Sequence, residues 1–410
     1  MELAADVGPV PLNVGALLLL DADPDRAADL ADLIAERAAG VPRLSQRLVT
    51  PSAVWQRPWW QHLPYLDLRS RVEVRAVTAP ADRDALLADT VGLLTQPLPR
   101  TGPLWRATLL TGLQDGRCAL VLVLHHVLAD GIGGLAVLTA LADGSAPAQL
   151  HGSAVPRAPA GRRGDRWDAL RRGLRELGGG RPQAAPTTSL NRPTGSRRAM
   201  VTAWADLAAV RAAARAAGST VNDALLVAAT GAAVEVLHAR GEDPPELVVS
   251  VPVSGREAAS AGDLGNRVGV MPVRVPVTGD RSRRLAAVTQ ATSRQRSPSG
   301  GRGASAALVG PAFRALAATG LLRRFVDRQR LVNLFLTNVR GPAQRLQIGG
   351  ATITEVVPLT STQGNVALAF AALSYAGRIT VAAVLDPDVL AERDVLGQTL
   401  QAELDALSAR

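Results

Sequence analysis

The chain of 410 residues has a single cysteine, no lysine, and only 3% aromatic residues. One cysteine, Cys118, excludes a disulfide framework within the chain and suits a reducing cytoplasm, the expected compartment. With so few aromatics, the core has to be aliphatic. Without lysine, all 45 basic residues are arginines, and against 36 acidic ones they give a net charge of +9. No basic stretch is interleaved with aromatics in the manner of a nucleic-acid reader, so nucleic acid is not an expected partner. The basic surface suits anionic lipid or a phosphate-bearing substrate instead. No uncharged apolar run reaches the length of a membrane helix, and MELAADVGPV lacks the basic and apolar regions of a secretory signal. A soluble protein that can touch a membrane peripherally, at its inner face, is therefore expected. No HxH or HxxxH stands near the histidines discussed below, so no metal site is expected. GxSxG is also absent, which argues against a serine acyl-enzyme.

What is present is concentrated in Cys118 to Gly134, CALVLVLHHVLADGIGG. Seven aliphatic or small residues read as a buried strand. His125 and His126 follow, then Asp130 and Gly131, and the pattern turns helical after Gly134. Two of the five histidines thus sit together at a strand-to-helix turn, a common place for chemistry. Neighbouring strand residues point to opposite faces, so the two cannot share one task. One can face a cleft as a general base near neutral pH, and the other can hydrogen-bond backward. Asp130 can orient the imidazole as in a triad, or turn away and pin the loop through an arginine. Gly131 removes a side chain where substrate or backbone must come close.

Both halves alternate strands with helices. A strand is expected over 11–21, a helix over 24–39 with Asp23 as N-cap, a strand at RVEVRAV and a helix over 81–94. A hairpin about Gln114-Asp115-Gly116 leads into the histidine strand. From 142 to 198 the composition shifts to Gly, Pro, Ser and Arg, which marks a linker. Within it, Trp167, Leu170, Leu174 and Leu177 share a helical face among arginines. Such a helix can lie on a bilayer or pack across a domain junction. The second half opens with a strand near Ala199 and a helix from Leu207. Asn222-Asp223 then begins a strongly apolar helix, where either residue can cap or serve the chemistry. Strands follow at 247–254, through Val277, at 331–338, and near 352–357, 366–373 and 378–385. The expected organisation is two α/β subdomains, 1–145 and 199–410, joined by 146–198.

The motifs, taken in order, resemble the bacterial wax ester synthase/acyl-CoA:diacylglycerol acyltransferase family. They are PLNVGALLLL at 11–20, Pro103-Leu104-Trp105, HHxxxDG from His125 to Gly131, Asn222-Asp223, VPVSGRE at 251–257, Gly265-Asn266-Arg267, TNVRGP at 337–342, SYAGRI at 374–379 and Asp386-Pro387-Asp388. Two positions depart from the family pattern: Asn13 stands where His is frequent, and Arg340 where Pro is. The resemblance implies two chloramphenicol acetyltransferase-like subdomains with the active site at their junction. It implies acyl transfer from acyl-CoA, as co-substrate and with no resident cofactor, to a hydroxyl acceptor. Diacylglycerol would give triacylglycerol, and a long-chain alcohol would give wax ester. A tailoring or condensation-like enzyme using a small alcohol or a carrier-bound acyl group is the alternative. His126, the second histidine, is expected to be the general base, with His125, Asp130 and Gly131 in the same motif. Gly131 N–H and the Asn222 side chain are candidate oxyanion donors. Asp223 and Asn266 are supporting positions, and Arg256 is the expected ion-pair partner of Asp130.

Overall fold

The structure is a computed structural model that describes residue 6, residues 8–50, 58–144, 184–254, 268–296, 319 and 321–408. It holds two six-stranded mixed sheets and a separate two-stranded ribbon. The first sheet contains β1 (Asn13–Asp21), β4 (Val72–Ala76), β5 (Trp105–Thr111) and β6 (Cys118–His125), completed by β11 (Gln347–Ile348) and β12 (Ala351–Leu359). Its order is β11-β12-β1-β6-β5-β4. The ribbon pairs β2 (Gln46–Val49) with β3 (Trp59–His62). Helices α1 (Ala27–Ala39), α2 (Arg83–Thr95) and α3 (Gly131–Leu141) complete this half. β6 lies between β1 and β5 with all eight residues buried, which explains its nearly unbroken aliphatic sequence.

The second sheet has the order β7-β14-β13-β10-β8-β9. Its strands are β7 (Ala199–Asp206), β8 (Glu246–Ser254), β9 (Val268–Pro276), β10 (Leu334–Arg340), β13 (Leu368–Tyr375) and β14 (Arg378–Leu385). Helices α4 (Leu207–Ala216), α5 (Val221–Ala239), α6 (Arg281–Arg296) and α8 (Arg393–Ser408) belong to this half, with the short α7 (Leu322–Val326). By length and composition α5 is apolar enough to span a membrane, but it is the core helix here, 78% buried inside the protein.

The two sheets do not divide the chain at one point. Residues 347–359 return to the first sheet, where β12 pairs antiparallel with β1. The division expected from composition, with all of 199–410 in one subdomain, is corrected by this crossing. β12 also contacts β13 and β14, so it lies along the seam. Those two strands are buried on both faces. Phe370, Ala372, Val381 and Ala383 point into the second core, whereas Leu373, Tyr375, Ala382 and Val384 join the first. Of the expected linker, the described part, 184–198, straps the second half: Leu190 is fully buried, and Ala367 N–H donates to its carbonyl. The amphipathic pattern at 167–177 lies outside the described residues.

Candidate active site

The chain is held firmly as it leaves β6. His125 N–H donates to Leu104 O at 2.9 Å, His126 N–H to Leu12 O at 2.8 Å, and Leu128 N–H to His125 O at 2.8 Å. A tight turn then delivers Asp130, the N-cap of α3, whose carboxylate accepts from Gly133 N–H at 2.9 Å. The turn is short because the helix must start at once and fold back along the sheet. Leu124 meets α3 at Gly134.

The two histidines take opposite faces. His125 is buried and stands opposite Asn13 in the β1–β6 register, so the two share a face. Asn13 donates to Leu94 O and Gln96 O at the end of α2, so this is the α2 face. His125 Nδ1 accepts from Val127 N–H at 3.1 Å, which places the ring proton on Nε2, 3.2 Å from Asp6 Oδ2. Burial opposes ionisation of Asp6. The hydrogen bonds from His125 and Leu12 N–H, with the charges of His125 and Arg100, outweigh it and hold the carboxyl below its ordinary range. Both ring nitrogens of His125 are thereby engaged in structure.

His126 falls on the other face and lines a cavity of about 180 Å³ between the two halves. From the first half come Val14 and Ala16 of β1, Leu122 and Leu124 of β6, and Leu135 and Leu138 of α3. From the second come Pro252, Thr337, Val339, Ala371 and Leu373, with Thr360 just after β12. Gly15 is required here because a Cβ would collide with Leu122 O. At Gly131 the halves approach closely: a Cβ would lie 2.8 Å from Val339 Cγ2.

Asp130 and Gly131 share the cavity wall with His126. Asn222, the second residue of α5, is not among the described residues that line it. Asp223 is fully buried as the third residue of α5 in a capping box with Thr220, and its other oxygen accepts from Thr292 Oγ1 at 2.8 Å. The N-cap is therefore Thr220. Arg256 and Asn266 lie outside the described residues. Trp105 is fully buried and donates from Nε1 to Leu44 O at 2.8 Å, a packing role. Cys118 is fully buried and burial pushes its thiol up, so it offers no thiolate. Among the described residues no cluster of His, Cys, Asp and Glu could hold a metal.

Thr337 escaped notice in the sequence, although TNVRGP contained it. Alternation along β10 buries Leu334 and Leu336 in the second core, so Thr337 and Val339 face the seam. The partner of Thr337 on β13 is Ala371, small enough to leave the hydroxyl room.

The profile of the wax ester synthase/diacylglycerol acyltransferase catalytic domain matches residues 1–179, and that of the corresponding C-terminal domain matches 264–408. A Mycobacterium tuberculosis protein described as a probable diacylglycerol O-acyltransferase is 30% identical, over 98% of this chain and 93% of its own length. Among solved structures, the wax ester synthase/diacylglycerol acyltransferase of Marinobacter aquaeolei VT8 is similar with a TM-score of 0.70 at 23% identity, over 98% of this chain and 96% of that one. A starter condensation domain of rhizomide synthetase bound to C8-CoA shares the fold with a TM-score of 0.64 at 16% identity, over 99% and 91%.

Proposed function

The chain belongs to the wax ester synthase/diacylglycerol acyltransferase family and is an acyltransferase acting on hydroxyl acceptors; we propose that it takes a fatty acyl group from acyl-CoA, with His126 as general base. The observation that carries this reading is the position of His126. It is a half-buried imidazole in the wall of an apolar cavity built by both halves, beside the first turn of α3.

A thioester is already activated, so the reaction needs only a base and a site for the negative charge. The imidazole takes the acceptor's proton as its oxygen attacks the thioester carbon, an effect of roughly 10²–10⁴-fold. The carbonyl π bond breaks and its oxygen becomes an oxyanion. Collapse of this intermediate expels the thiolate, which recovers the proton from His126. Gly131 is the first residue of α3, so its N–H has no partner within the helix and stands at the positive end of the helix dipole. That N–H and the Thr337 hydroxyl, on opposite walls of the cavity, are the proposed oxyanion donors. Asp130 positions the loop through the α3 cap, and His125 anchors the strand end through Asp6.

The apolar lining fits a fatty acyl chain with diacylglycerol or a long-chain alcohol as acceptor. Peripheral contact with a membrane or lipid droplet is part of the reading, because such acceptors reside there. The test is purified protein with palmitoyl-CoA and diacylglycerol, hexadecanol or short alcohols, followed by thiol release and lipid mass spectrometry. Triacylglycerol or wax ester is expected, and His126→Ala should abolish it while the protein stays folded. Absence of product with every acceptor, or full activity in His126→Ala, would overturn the proposal.

A further inference from the structure

The chain contains six tryptophans, two tyrosines and four phenylalanines, and four of these twelve fall between Trp55 and Tyr65. The same stretch lacks carboxylates: no Asp or Glu occurs between Glu36 and Asp67, whereas Arg43, Arg47 and Arg57 do. A protein otherwise sparing with aromatics has gathered rings and positive charge in one stretch of sequence.

The ribbon formed by β2 and β3 shows how they are presented. Cross-strand partners share a face. Leu48 with Trp60 faces inward and packs against the first core. The Arg43 guanidinium lies over the Trp60 ring, 4.4 Å from its centre, which fixes the base of the ribbon. The outer face carries Val49 opposite Trp59 and Arg47 opposite Gln61. Trp59 is 50% exposed, and Tyr65, just beyond β3, is 98% exposed. The described carboxylates form no ion pair with Arg43 or Arg47; each bonds a glutamine, Gln46 and Gln61 respectively. Exposed Trp and Tyr beside unpaired Arg is the chemistry of a lipid headgroup layer, where amphipathic rings settle and guanidinium meets phosphate.

The ribbon's position agrees. Its base is tied by Leu63 N–H to Ser45 O and by Trp105 Nε1 to Leu44 O, and Trp105 pairs with Leu124, the residue before His125. A surface held by the ribbon therefore lies at the His126 end of the first sheet.

We propose that the outer face of this ribbon, through Trp59 and Arg47 and with the exposed Tyr65 just beyond β3, docks the protein on an anionic phospholipid bilayer. The proposal rests on the acyl-transfer reading for its purpose, but it is tested by binding alone. The full chain is sedimented with vesicles of phosphatidylcholine, with and without phosphatidylglycerol, in the absence of any substrate. Binding to phosphatidylglycerol vesicles is expected, weakened by salt and by omission of the anionic lipid. Arg47→Gln should weaken it about fivefold, and Trp59→Ser/Tyr65→Ser at least about tenfold. Tyr65→Ser alone alters a residue with almost no packing, so its weaker binding cannot come from misfolding. Thiol release with hexanoyl-CoA and butanol, both in solution, should be unchanged in these variants. His126→Ala should bind vesicles like the wild type, which separates this proposal from the catalytic one. Wild type left in the supernatant, or variants that bind equally well, would overturn it. So would variants that bind equally but lose self-association in light scattering, because the face would then join copies of the chain.

Discussion

Gly131→Ala sets two physical effects against each other. Gly131 opens α3, and a helical position gains up to about 1 kcal/mol when Gly becomes Ala. Propensity alone therefore favours the change. The contact across the seam does not. The new Cβ would lie 2.8 Å from Val339 Cγ2, roughly 1 Å inside the usual ~3.5–4.0 Å carbon contact. Val339 is β-branched and stiff, and its strand is paired with β13. Relief has to come from opening the seam or shifting the loop that carries His126. Overpacking of this kind costs about 1–3 kcal/mol, so a net loss of stability is expected. A displacement of ~1 Å at His126, the proposed base, should lower kcat/KM by up to ~100-fold. Val339→Ala removes the offending methyl at a cost of about 1 kcal/mol in lost burial. The double variant should then be no less active than Val339→Ala alone. Thermal melting and thiol release with palmitoyl-CoA on the four proteins complete the cycle. Wild-type stability and rate in Gly131→Ala, or no rescue by Val339→Ala, would refute the contact as the reason for glycine.

Further outcomes follow from the same geometry. His125→Ala removes one of three partners of Asp6, which keeps Leu12 N–H and Arg100, and leaves the Val127 amide without its acceptor, so it should cost about 1–3 kcal/mol of stability while leaving more activity than His126→Ala, read by melting and initial rates. Asp6 has a folded value below its ordinary 3.8, so its contribution to stability is present above that value and lost as pH falls through the lowered one. Denaturant titrations from neutral pH to roughly pH 3 should show this loss in the wild type and not in Asp6→Asn. Asp130→Ala removes the α3 cap and should cost about 0.5–2 kcal/mol, whereas Asp130→Asn keeps it. If Asp130 also pairs with Arg256, Asp130→Asn and Arg256→Ala should each lower melting temperature and rate, and the double variant should be no worse than either. Thr337→Val preserves shape and removes the hydroxyl; kcat should fall ~10²-fold with an unchanged melting curve, and an unaltered kcat would remove Thr337 from the oxyanion site.

Local pattern determined much of this protein before any contact was known. The aliphatic run from Cys118 marked β6 because a strand covered on both faces, here by α2 on one and by α3 with the second half on the other, must be apolar on both. The helix after Asp130 was legible from its cap and glycines, and the motif order identified the family and so the acyl transfer. Alternation also required His125 and His126 to part, but it could not say which one met the cavity. That was decided by pairing: Asn13 across from His125, with α2 beyond it, fills one face, and α3 with the second half leaves the cavity on the other. Pairing between distant residues likewise moved 351–359 into the first sheet beside β1, which composition had assigned to the second half. Capping at α5 fell to Thr220 rather than Asn222 because only the folded backbone fixes where the first helical turn begins. Thr337 reached the cavity wall because the seam brings β10 against the turn that follows His126. Sequence periodicity records which faces are buried; which elements bury one another is settled only when both sheets compete for the same apolar surface.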